Sequence, residues 1–155
     1  MTDKVVRFTL DTNILIYSVD SAAGARHERA LEIVDRAAER DCWLTLQALS
    51  EFYVAATRKN IVPRYEAAAQ INDWLTIFPT VAATADAMRT ALREAVAGHL
   101  SYWDGLLVAT AAEAGCAVII TEDMQDGKVV GGVRIHDPFK GAVLSKTLRD
   151  VLGLR

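Results

Sequence analysis

Four acidic residues, Asp11, Glu51, Asp104 and Asp123, are the side chains of this 155-residue chain best suited to joint chemistry. Hard cations such as Mg²⁺ or Mn²⁺ take carboxylate oxygens as ligands, and one divalent site accounts for all four acids together. Separately, each has a plainer explanation. Asp11 falls between an apolar segment and a helical one, where Asp is a favoured N-cap, and taken alone it is better explained as a cap. Asp104 stands three residues after Ser101, loosely as in a capping box, although Glu or Gln is preferred there. Glu51 sits among apolar neighbours and could form a buried ion pair with Arg58, since an unpaired buried carboxylate is costly. Asp123 suits a turn.

Other chemistries are poorly served. His27, His99 and His136 are scattered, and no Ser–His pair, Walker loop or Gly-x-Gly-x-x-Gly run is present. Cys42 and Cys116 stand alone inside apolar runs, which points to buried reduced thiols. A metal would lower the pKa of a bound water and stabilise charge on a phosphoryl oxygen. Two ions about 3.5–4 Å apart would suit an in-line phosphodiester displacement.

The elements that must position these acids can be read in order. Val5 to Leu10 reads as a strand and Ile14 to Val19 as the start of a helix, with a turn at Ser21 to Gly24. Arg26 to Arg40 is an amphipathic helix with Ala30, Ile33, Val34 and Ala37 on one face. Cys42 to Leu46 is a short strand. Gln47 to Lys59 is a helix apolar nearly all round, hence buried, that carries Glu51. A helix follows from Pro63 to Ile77, then an edge strand over Phe78 to Val81 and a helix over Thr84 to Ala97. Ser101 to Ala114 is helical up to Gly115, with Asp104 heading its stripe of Leu107, Val108 and Ala111. Gly105, a weak helix former, implies close approach of some neighbour. Ala117 to Thr121 is a buried strand, Glu122 to Lys128 a polar loop, Val133 to His136 a last strand, and Lys140 to Arg155 a weakly helical tail. Alternating strands and helices predict a three-layer α/β/α fold with a mostly parallel sheet. Ligands of such sheets bind beyond the carboxyl ends of the strands, where Asp11 and Asp123 fall.

The length suits one domain, residues 1–155, with a core that needs no staples. Hydrophobic residues make up 52% and Pro is scarce, which excludes a long disordered region. Met1 to Lys4 lacks the apolar run of a signal peptide, and Glu113 and Gly115 interrupt the apolar run from Leu106 to Ile120, so a cytoplasmic protein is expected. The net charge of −3 does not exclude a nucleic-acid partner, because setting four carboxylates aside leaves 17 basic residues against 16 acidic ones.

Asp11-Thr12-Asn13-Ile14-Leu15, Ser50-Glu51-Phe52, Tyr102-Trp103-Asp104 and Thr121-Glu122-Asp123 together resemble the PIN-domain family, and within it the VapC-type ribonuclease toxins of toxin–antitoxin pairs. The segments follow the family's order and spacing across the whole chain. The resemblance implies a Mg²⁺- or Mn²⁺-dependent endoribonuclease acting on single-stranded RNA, usually dimeric and restrained by a cognate VapB-like antitoxin. Asp11, Glu51, Asp104 and Asp123 match its acidic positions, and Asn13 and Thr121 its supporting polar ones. Glu122 and Asp126 compete with Asp123 as the acid of their loop, and Asp137-Pro138-Phe139 is similar to one VapC subgroup. Arg58 and Lys59 could meet phosphates, although Lys59 is better explained as a solvated surface charge. Tyr102 and Trp103 could stack bases, but aromatics at a helix start are more often core, as are Trp43 and Trp74. A PIN nuclease of RNA processing is the alternative within the family. A Mg²⁺-binding receiver domain is the alternative outside it, but the Lys expected at a later strand end is missing. A haloacid-dehalogenase-type phosphatase fits less well, because Asn13 stands where its second Asp belongs.

Overall fold

The computed structural model describes residues 5–155, so the signal-peptide reading of Met1 to Lys4 lies outside the described residues. Strand β1 (Phe8–Leu10) lies beside β4 (Val118–Ile120), which pairs with β6 (Val133–His136), and all three run parallel. Strand β5 (Val129–Val130) closes that edge antiparallel to β6. Strands β2 (Leu44–Thr45) and β3 (Thr80–Val81) form a parallel pair, which a bridge from Cys42 to Phe8 joins to β1. The sheet is mostly parallel, as expected, with β5 added between the polar loop and the expected last strand, in residues assigned no element from the sequence. Gly131 and Gly132 make the β5–β6 hairpin possible, since both adopt positive φ at its turn.

Helices α1 (Thr12–Val19), α2 (Ala25–Ala37), α3 (Leu46–Arg58), α4 (Arg64–Ile77), α5 (Ala85–Val96), α6 (Tyr102–Glu113) and α7 (Lys146–Leu152) complete the chain. Alternation along β4 shows how the layers are filled. Val118 and Ile120 face a core built from α1 to α4 and α7, whereas Ile119 faces the opposite side, with Leu107, Val108 and Ala111 of α6. Both faces of the sheet are thus covered, as the buried runs of a parallel sheet require.

Several expectations change in detail. The first strand is shorter than Val5 to Leu10, because Val5 is exposed and only Phe8–Leu10 is wholly buried. Cys42 lies outside β2, although it and Cys116 are buried free thiols whose pKa values burial pushes up. Helix α3 is not buried all round: Ala48, Leu49, Phe52 and Ala56 face inward, while Val54 is 56% exposed. Trp74 is core, but Trp43 is half-buried under Arg7 (4.7 Å to the ring centroid), and Trp103 is 59% exposed.

Gly105 is explained by helix packing. A Cβ built there would lie 3.2 Å from the Cα of Ala91, so the close approach is by the α5 backbone. Gly105→Ala adds helix propensity of about 1 kcal/mol but forces α5 and α6 apart, an overpacking cost of about 1–3 kcal/mol. The expected net result is a loss of roughly 1 kcal/mol, read as a lowered urea midpoint at unchanged m-value.

Candidate active site

Asp11 is buried at the carboxyl end of β1, next to β4, where its backbone N–H donates to the Ile120 carbonyl at 3.0 Å. It is a helix cap whose second oxygen is also held. Its Oδ1 accepts the Thr12 N–H at 2.7 Å and so starts α1, while its Oδ2 accepts the Thr121 hydroxyl at 2.7 Å. Burial pushes its pKa up to about 6; the two hydrogen bonds oppose the shift, and the charges of Asp123 and Asp104 add to it. Asp123 is also raised, first by burial and then by Asp104 and Glu122. The charge of Asp104 thus reaches both Asp11 and Asp123, and among the described residues neither accepts a hydrogen bond from a Lys or Arg.

Asp11, Glu51 and Asp123 are each steered by a polar neighbour. Asn13 Nδ2 donates to Asp123 Oδ2 at 2.9 Å, and the Asp123 N–H donates to Thr121 Oγ1 at 3.1 Å. Thr121 therefore ties two acids together from the end of β4. Glu51 does not pair with Arg58; it accepts from the Thr12 hydroxyl at 3.0 Å and from Gln47 Nε2 at 3.1 Å. Ser101 caps α6 by accepting the Asp104 N–H at 3.1 Å, and the half-buried Asp104 carboxylate has no hydrogen-bond partner among the described residues.

The two competing acids of the loop are engaged elsewhere. Glu122 accepts from the Tyr17 hydroxyl and from Arg26 Nε at 3.2 Å, and Asp126 accepts the Asp137 N–H at 2.9 Å. Arg58 is exposed and, with Glu51, Leu46, Val54, Trp103 and Leu106, lines a groove of about 640 Å³ between α3 and α6. Lys59 is exposed at the end of α3, and Tyr102 packs partly buried against α5. Sequence reasoning missed Thr12, Gln47, Tyr17 and Arg26. Gln47 was findable, being four residues before Glu51 on one helix; Arg26 gave no local signal.

The donor set fits a hard divalent cation: carboxylate oxygens only, negative charge uncompensated, orientation held by hydroxyl and amide donors. As the side chains lie, no three acids or histidines among the described residues already stand close enough together to hold an ion.

Solved structures resemble this fold. A chain of the DNA-bound VapBC2 complex from Rickettsia felis matches at 12% identity and TM-score 0.60, over 84% of this chain and 98% of that one. The DNA-bound VapBC of Salmonella typhimurium matches at 18% and 0.61, over 86% and 98%. VapC20 of Mycobacterium tuberculosis, a toxin that cleaves the sarcin–ricin loop, matches at 19% and 0.58, over 72% and 86%. Among curated proteins none matches. Residues 8–126 match the model of the PIN domain, a span that runs from β1 through the acids to the loop after β4. By that match over most of its length, the chain belongs to the PIN-domain family.

Proposed function

We propose that this protein is a Mg²⁺- or Mn²⁺-dependent endoribonuclease that cleaves single-stranded regions of RNA as the toxin of a toxin–antitoxin pair. The observation that carries the reading is Asp11: a buried carboxylate with its pKa raised to about 6, within reach of the charges of Asp123 and Asp104 and with no basic hydrogen-bond partner among the described residues. Such a cluster is unfavourable unless a cation joins it. The VapC20 and VapBC folds support the same reading and add a VapB-like antitoxin as partner. A cytoplasmic homodimer is part of the proposal; among the described residues no helix is long and apolar enough to cross a membrane.

Asp11, Glu51, Asp104 and Asp123 hold the cation. When bound, it supplies an acidified water and charge stabilisation at the scissile phosphoryl group. Thr121 would orient Asp11, and Asn13 would orient Asp123, for that role. Thr12 and Gln47 restrain Glu51 in the same way. Arg58, exposed on the groove beside Glu51, meets an RNA phosphate.

Expression with and without the gene next to it provides the test. Growth arrest by the unsubstituted chain, relieved by a small neighbouring gene and by Asp104→Asn, is the expected outcome. An Asp104→Asn protein that still arrests growth and cleaves RNA would remove the catalytic assignment. RNA cleavage without growth arrest would point to RNA processing instead.

A further inference from the structure

Asn13 and Tyr17 lie one turn apart on α1, and each grips one of two consecutive residues in the loop after β4. Asn13 holds Asp123, and the Tyr17 hydroxyl holds Glu122. Residues four apart share a helix face at about 6 Å, a spacing that suits two successive loop side chains. Glu122 is 17% exposed, and its second oxygen accepts from Arg26 Nε. The Arg26 guanidinium lies 5.0 Å from the Phe139 ring centroid and 5.8 Å from that of Tyr17, and the two rings meet edge to face at 5.5 Å. Glu122 is therefore neutralised by Arg26, has both oxygens occupied and is turned toward Tyr17.

We infer that Tyr17, Glu122 and Arg26 are positioning residues: they fasten the loop to α1 so that Asp123, one residue on, presents its carboxylate to the cation. The inference rests on the metal reading above and deepens it. Glu122 acts here as an anchor. With the anchor cut, the Asn13–Asp123 bond is the one side-chain hydrogen bond left between α1 and these loop residues among the described residues, and Glu122 is free to crowd Asp123.

The test is a titration of the full chain with Mn²⁺ alone, followed by the electron paramagnetic resonance of the free ion, without RNA. Partners that orient metal ligands typically change affinity 10–100-fold. Tyr17→Phe and Glu122→Ala are each expected to weaken Mn²⁺ binding about tenfold, with Glu122→Gln closer to the unsubstituted chain because its amide oxygen still accepts from Tyr17. Arg36→Ala serves as the control for mere destabilisation. It removes hydrogen bonds to the Leu152 and Gly153 carbonyls, away from the site, and should leave the affinity unchanged. Unaltered affinity in both Tyr17→Phe and Glu122→Ala overturns this inference alone. Loss of binding in Glu122→Ala as complete as in Asp11→Asn makes Glu122 a ligand and also overturns it. No Mn²⁺ binding by the unsubstituted chain overturns the metal reading, and this inference with it.

Discussion

RNA cleavage falls by at least about 10³-fold in Asp11→Asn, and the metal-free variant unfolds at a higher temperature than the unsubstituted chain at pH 7. The first half follows from the proposed ligand role, since a catalytic cation supplies several kcal/mol of charge stabilisation. The second half separates a site residue from a structural one. Asn keeps an oxygen to accept the Thr12 N–H, and the Thr121 hydroxyl can rotate to accept from the new amide. What disappears is a buried charge.

The folded pKa of Asp11 is about 6, above the ordinary 3.8, so the folded state retains a proton that the unfolded chain releases. Stability of the metal-free protein therefore falls as pH rises from about 4 to about 6 and stays reduced above that. The reduction is on the order of a few kcal/mol. Asp11→Asn removes this contribution, and thermal melts in chelator from about pH 4 to about pH 8 would show it. Protons also compete with the cation, so Mn²⁺ affinity should weaken as pH drops through about 6. A melting temperature lower in Asp11→Asn than in the unsubstituted chain at pH 7 would contradict the buried-charge account, whatever the activity shows.

Phe52→Ala costs about 3–5 kcal/mol, a large part of the stability of a domain this size. Phe52 is fully buried on the inner face of α3 and meets the Trp74 ring edge to face at 4.8 Å. Its removal leaves a void between α3 and α4 that rigid neighbours fill poorly. Because Glu51 precedes it on α3, the loosened helix would also weaken the Thr12–Glu51 contact. Chemical denaturation gives the stability change directly. A loss under about 1 kcal/mol would mean that α3 and α4 collapse onto the space.

The main elements were legible because helices and strands are written in local periodicity. The stripe of Ala30, Ile33, Val34 and Ala37 in α2 and the buried run of β4 needed no knowledge of the rest of the chain. The β5–β6 hairpin was not, since Val129 and Val130 become a strand only by lying against β6. Nor was the outer face of α3: apolar residues such as Val54 carry no mark of whether anything covers them. For Glu51 the spacing offers Arg58 as an alternative ion-pair partner, one helical face being all that spacing reveals. Its actual partner Thr12 comes from another helix.

By itself, the sequence determined that four acids exist, that two of them end strands and that two ride on helices. It also determined that the two Cys and three His stand far apart along the chain. Only the tertiary structure decided that Asp11, Asp104 and Asp123 share one field, that Asp123 of the loop's three acids faces Asn13, and that Glu122 turns away to Tyr17 and Arg26. The reason is physical. Periodicity constrains which face a side chain takes within its own element, whereas convergence depends on strand register and crossover, which join residues as far apart in the chain as Asn13 and Asp123.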